Sequence, residues 1–338
     1  MRRLSLSLFA ALAAGLTLAT VPVLAQAPAQ TPAPAPLAAY PARVELHPFT
    51  SLTLPDSAFL KGAKEEGKPV TLAAELRLAQ APGKQPVVVL MHGSSGVGAN
   101  IEPWLEQFNA MGIATLVIDG FTGRGLTSVS SDQSQLGRLN FVLDIYRALE
   151  ILAKNPRIDT SRIVLMGFSR GGQAALYASL DRFQKLWNTS GVTFAAYVPF
   201  YPDCAISFID ETQVGGKAIR IFHGALDDYD PVAVCTPYVE RLKAAGHDVS
   251  VTTYPTGEHG FDAPFPLGKI AAAKSQTVRA CTIRETAPGV LTNAATGQPF
   301  TYKDACVELG PHVGGSVEAA AAAHRDVGAF LTQFLKLN

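Results

Sequence analysis

The chain has 338 residues, 28 basic and 28 acidic, and 48% of them are hydrophobic. That is enough apolar material for a substantial core, and the balanced charge excludes a nucleic-acid binder that works by neutralising phosphates.

The first residues read as a leader. Arg2 and Arg3 give a positive start, Leu4 to Val21 is apolar, and Val23-Leu24-Ala25 offers small residues before a cut. This is the tripartite pattern of a secretory signal peptide, with cleavage after Ala25 first and after Ala27 second. The competing reading is a membrane anchor, since the stretch is almost long enough to span. Export to the periplasm or the medium is therefore expected, with no stable membrane insertion after cleavage. Residues 26–41 are mostly Ala, Pro and Gln and read as a linker. The domain expected to fold is 42–338.

Strand-like and helix-like segments alternate from there. Val44 to Thr50 and Val70 to Leu78 read as strands with partial alternation. Pro86 to Met91 is a short, continuous apolar run, and Ile113 to Ile118, Ile163 to Met166, Phe194 to Val198, Ile219 to Phe222 and Val249 to Tyr254 are similar. Such runs suit strands buried on both faces. Helical patterns cover Gln135 to Lys154, Gly171 to Arg182, Ala233 to Ala245 and Val317 to Leu335. The expected fold class is α/β: a mostly parallel sheet of about eight strands with helices on both faces.

The loops after these strands carry the chemistry. The third strand is followed by His92-Gly93-Ser94-Ser95-Gly96. Its glycines lack the spacing of a phosphate cradle. Its amides suit an oxyanion hole, with Ser94 the first choice and Ser95 the second. Arg124 follows the next strand, and its place would let it meet a substrate carboxylate; a solvated arginine is the simpler expectation.

After Ile163 to Met166 comes Gly167-Phe168-Ser169-Arg170-Gly171-Gly172. A serine on a tight strand-to-helix turn needs small residues two positions away on either side, and Gly167 and Gly171 are those residues. The helix start favours developing negative charge at Ser169, and the Arg170 amide is the second expected oxyanion donor. The Arg170 side chain, like Arg124, reads as solvated or as a carboxylate binder.

Asp227, Asp228 and Asp230 follow the strand at Ile219 to Phe222, and the residues alone leave the three open. Asp230 is the natural cap for a helix starting near Pro231. A calcium loop lacks its central glycine. His259 follows the last strand at the same expected sheet edge, where it would serve as base for Ser169 with an aspartate to orient it. The order Ser, Asp, His is the one this architecture uses.

Residues 263–315 break the alternation. They are rich in Pro, Gly, Ala and Thr and hold Cys281 and Cys306. A loop this long is expected to be functional or stapled, and local pairing makes Cys281–Cys306 the staple. With Cys204 and Cys235 the chain has four cysteines, an even number suited to disulfides in an exported protein and without zinc spacing.

Together these residues resemble the dienelactone hydrolase family of the α/β-hydrolase fold, from about Val70 to the C-terminus. The resemblance is carried by Met91-His92-Gly93, Asp119-Gly120-Phe121-Thr122-Gly123-Arg124-Gly125, Gly167 to Gly172, Phe200-Tyr201-Pro202-Asp203-Cys204, Asp227-Asp228 and His259-Gly260-Phe261-Asp262. It implies that the acid is Asp227, three residues after the strand-end Gly224. It also implies neighbouring strands before Cys204 and Asp227, which supports a Cys204–Cys235 bridge. Dienelactone hydrolases proper use a cysteine nucleophile, where this chain has Ser169. The expected function is hydrolysis of small-molecule carboxylic esters through an acyl-enzyme on Ser169, with no cofactor and no metal. A peptidase or acyltransferase on the same three residues is the alternative, and a non-catalytic binding protein of this fold is a third reading. Neither the ester nor the oligomeric state is specified by the residues.

Overall fold

The computed structural model describes residue 38 and residues 40–337. The expected leader, and the linker apart from residues 38, 40 and 41, lie outside the described residues. In chain order the elements begin with β1 (Arg43–Thr53), α1 (Asp56–Lys61), β2 (Lys68–Leu78), β3 (Gln85–Met91), α2 (Ile101–Ala110), β4 (Ala114–Asp119) and α3 (Asn140–Lys154). Then come β5 (Ile158–Phe168), α4 (Arg170–Tyr177), α5 (Asp181–Trp187), β6 (Ala196–Phe200) and β7 (Ile206–Ser207). After these are β8 (Ala218–Gly224), α6 (Val232–Ala244) and β9 (Val249–Tyr254). Six short strands follow, and α7 (Val317–Phe334) closes the fold.

Eight strands form one sheet in the order β1-β2-β4-β3-β5-β6-β8-β9. β1 and β2 are antiparallel to each other, β2 is antiparallel to β4, and all the remaining pairs are parallel. Every residue of β3 is buried, because helices cover both faces. Side chains alternate across a strand. Val87, Val89 and Met91 therefore pack in one core with Phe141, Tyr146 and Leu149 of α3. Val88 and Leu90 pack in the other with Trp104 and Phe108 of α2 and Val327 and Leu331 of α7.

The helix expected over Gly171 to Arg182 is two. α4 ends at Tyr177, and the chain turns where the Asp181 amide donates to the Gln213 carbonyl at 2.9 Å and Leu180 bridges Val214. A long-range contact breaks a pattern that is locally helical.

The segment 263–315 is a small β-structured cover. β10 (Ile270–Ala271) pairs β15 (His312–Val313), and β11 (Gln276–Thr277) pairs β14 (Glu308–Leu309). β12 (Ile283–Ala287) and β13 (Val290–Asn293) form a hairpin, and β12 also pairs β7 in parallel. Buried Glu285 on this hairpin binds Arg182 of α5 at 2.5 Å. The two ends of the segment meet: the Gly315 amide donates to the Pro266 carbonyl at 3.2 Å, and the Gly314 amide to the His259 carbonyl at 3.1 Å. A Cys281–Cys306 bond with S–S 2.07 Å lies inside the cover, and a Cys204–Cys235 bond of 2.04 Å ties the loop after β6 to α6. Among the described residues, no helix is long and apolar enough to cross a membrane.

Candidate active site

Parallel strands place their C-terminal ends at one edge of the sheet, where the connecting loops converge. Ser169 follows β5, Asp227 follows β8, His259 follows β9, and Ser94 follows β3. Ser169 has φ 54° and ψ −118°, a conformation that L-residues rarely adopt and that a tight turn must hold against strain. The turn depends on close backbone approach. A Cβ on Gly167 would lie 2.0 Å from the Gly171 carbonyl oxygen, and one on Gly171 would lie 2.2 Å from that of Met91.

The turn aims Ser169 at the last loop. Its Oγ lies 2.9 Å from His259 Nε2, and His259 Nδ1 lies 2.9 Å from Asp227 Oδ2. Asp227 Oδ1 accepts the amides of Tyr229 and Asp230, both at 2.9 Å, so the carboxylate is fixed before it meets the imidazole. Burial alone would pull the His259 basicity down, but the neighbouring carboxyl groups, Asp227 foremost, together raise the pKa above the usual 6.5. With Nδ1 donating to Asp227, Nε2 is left to accept the Ser169 proton.

The other two aspartates of the loop do different work. Asp230 does not cap α6. Its side chain is almost fully buried, with Oδ2 4.0 Å from His259 Nδ1, and Pro231 takes the cap position without a side-chain bond. Burial and the neighbouring Asp203 push the Asp230 carboxyl well above the normal range. Asp228 points away, to the cover: its carboxylate accepts the His312 amide at 2.8 Å and pairs Lys269 at 3.0 Å.

Neither arginine singled out in the sequence is solvated or open to a substrate. The Arg124 side chain is 3% exposed and paired with Asp144 at 2.7 Å. It also donates to the carbonyls of Gly120 and Leu52, so its charge is spent inside the fold. Arg170 is equally buried. Its guanidinium donates to Gln133 Oε1 at 2.8 Å and to the Leu136 carbonyl, and lies over the Phe141 ring. Helix geometry leaves the Arg170 amide, in the first turn of α4, without an intrahelical acceptor. The Ser94 loop runs beside it: a Cβ on Gly93 would stand 3.3 Å from Ser169 Cβ. Ser94 is itself steadied by Gln133 at its Oγ and by the Val129 amide at its carbonyl.

Sequence reasoning missed two aromatic residues. Tyr229 stacks on the His259 ring at 4.5 Å, and Tyr201 meets it edge-on at 4.8 Å. The Tyr201 hydroxyl donates to Asp262 at 2.6 Å, and Asp262 also takes the Trp104 indole N–H at 2.8 Å. The only signal was positional: Tyr201 follows β6 and Tyr229 follows Asp227, both at the active edge. The remaining strand-end histidines do not contact Ser169, although His223 Nδ1 lies 3.8 Å from Asp227 Oδ2. His92 accepts the Gly120 amide at Nε2, and burial holds its pKa down at about 4. Burial likewise lowers the pKa of His223. Among the described residues no group of His, Cys, Asp and Glu could hold a metal ion.

A sheet of this order with a strained serine at its central strand end defines a serine hydrolase of the α/β-hydrolase class. The chain belongs to the dienelactone hydrolase family, whose sequence profile matches residues 72–282. Among solved structures it is similar to a dienelactone-hydrolase-like promiscuous phosphotriesterase, P91, from metagenomic libraries. The identity is 16%, with 86% of this chain and 98% of that one covered at a TM-score of 0.53. It is similar to the structure named m3DLH at 19% identity, with 87% and 98% covered and a TM-score of 0.53. An esterase of Thermogutta terrifontis is 19% identical over 57% of this chain and 81% of its own, with a TM-score of 0.45. No curated protein sequence matches the chain.

Proposed function

We propose that the protein hydrolyses carboxylic esters with Ser169 as nucleophile, His259 as general base and Asp227 as the acid that orients it. One observation carries the assignment: the unbroken relay from Ser169 through His259 to Asp227, with both contacts at 2.9 Å. Ser169 Oγ attacks the acyl carbonyl while His259 Nε2 takes its proton. The imidazolium is stabilised by Asp227 and returns the proton to the departing alkoxide. The amides of Ser94 and Arg170 hold the oxyanion, and water then releases the acid by the same steps in reverse.

The decisive experiment is covalent labelling with a fluorophosphonate probe beside turnover of a short-chain aryl ester. Wild-type protein is labelled on Ser169, and Ser169→Ala loses both labelling and turnover. Equal turnover by the variant sinks the assignment.

We further propose that residues 1–25 are a leader removed on export and that 42–338 is the mature domain behind a linker. The two disulfides support an oxidising destination. Intact mass after alkylation without reductant reads this directly. Four alkylated thiols, or an uncleaved leader on protein recovered from the native host, would overturn it.

A further inference from the structure

We infer that the site selects small esters without negative charge, and that the cover over residues 263–315 builds the wall responsible. This rests on the ester-hydrolase reading above and adds the substrate class to it.

Beside Ser169 lies a cavity of about 490 Å³, within the range of small-molecule sites. Phe168 and Tyr201 close it from the sheet side; Pro264, Phe265, Ala272 and Val313 close it from the cover. Among the described residues, no lysine, arginine, aspartate or glutamate lines it. An uncharged acyl or alcohol group gains from burying its carbons against these walls. A carboxylate entering the same space would give up part of its hydration for the hydroxyls of Ser95, Ser130 and Ser275 and meet no counter-charge.

The charges just outside the cavity reinforce this. The Asp227 carboxylate stands directly behind His259. The nearby cations are committed elsewhere. Lys269 and Arg279 of the cover pair with Asp228 and Glu308. Arg138 and Arg170 lie behind the floor, held by Asp203 and Gln133. The gap in front of that pair is about 10 Å³, room for one water at most and too small for a carboxylate.

The test uses the full mature protein and two matched esters: the mono-p-nitrophenyl ester of adipic acid and the same compound capped as its methyl ester. Rates are corrected with Ser169→Ala as background. The neutral diester is expected to show a kcat/KM at least about tenfold higher. Ala272→Arg, which adds a cation to the cover's wall, is expected to narrow that ratio by raising the rate on the acid monoester. Equal kcat/KM for the two esters overturns the inference while leaving the ester-hydrolase reading intact. An unchanged ratio in Ala272→Arg overturns the role given to the cover. No turnover of either ester, with Ser169 unlabelled, overturns both readings together.

Discussion

The carboxylate of Asp228 is grasped twice by one residue of the cover: the backbone amide and the Nδ1 of His312 each reach it at 2.8 Å. Its neighbour Asp227 faces the opposite way, to His259. Two adjacent aspartates thus join the cover to the acid loop. Burial works against the Asp228 charge, but the His312 amide, Lys269 and the His312 side chain hold its carboxyl at about 2. A carboxyl depressed on folding stabilises above its unfolded pKa and loses that contribution as pH falls through the folded value. The wild-type melting temperature should therefore decline between pH 3.8 and about 2 by a component that Asp228→Asn lacks. Calorimetry across that range checks it. The same variant should raise KM more than it lowers kcat, because it loosens a wall and leaves the relay in place.

With His259 as the proposed base, the pH profile is expected to report on its titration. The base must be neutral to accept a proton, and its pKa lies above the usual 6.5 because the neighbouring carboxyl groups, Asp227 foremost, favour the charged ring. The acid limb of kcat/KM should therefore have its midpoint above pH 6.5. Asp227→Asn should move that midpoint down and lower kcat by roughly 10³ to 10⁴, as the tautomer is no longer enforced. An acid limb that stays in place in the variant contradicts the assignment of Asp227.

Arg124 is a structural residue here. Its removal leaves Asp144 buried, with Ser51 Oγ at 2.5 Å as its remaining partner. Arg124→Met should destabilise the fold by about 3–5 kcal/mol while leaving KM for neutral esters near wild type at permissive temperature. Denaturant titration and steady-state kinetics on one preparation separate the two effects. A large rise in KM with unchanged stability would return Arg124 to the substrate.

The serine turn leaves no room for a methyl group at Gly171. Gly171→Ala should cost about 1–3 kcal/mol in overpacking and reduce fluorophosphonate labelling, since relief requires Ser169 to move. Unaltered labelling kinetics would show that the turn tolerates a shift the geometry forbids.

The Cys281–Cys306 bond closes a loop with a sequence separation of 25 residues. By loop entropy it contributes about 3–4 kcal/mol to whatever unfolds with the cover. Replacing both cysteines with serine should lower the unfolding midpoint and make the cover the first site of limited proteolysis, with the sheet intact. Cleavage that still begins elsewhere would place the weak point outside the cover.

Several features were legible in the sequence for definite physical reasons. Parallel strands buried on both faces write themselves as short apolar runs, so β3, β4, β6, β8 and the buried half of β5 could be traced. The serine turn was legible because Gly167 and Gly171 answer a steric demand that other residues cannot meet. What escaped depended on partners distant in the chain. Arg124 sits in a glycine-rich polar stretch, and nothing near it announces Asp144, 20 residues away on α3. Asp230 looks like a cap when read with Pro231, yet the fold turns it inward beside His259. The break between α4 and α5 is imposed by Gln213, and the roles of Tyr201 and Tyr229 exist only once four loops meet at one edge.

The ends of the cover meet at one narrow neck, where Gly315 bonds Pro266 and Gly314 bonds the carbonyl of His259 itself. Inside that neck the cover is fastened to the frame again: β12 pairs β7, Glu285 binds Arg182, and His312 grips Asp228. A change in the cover's interior therefore reaches the loop that carries Asp227, and a grafted cover has to reproduce these fastenings as well as its two ends.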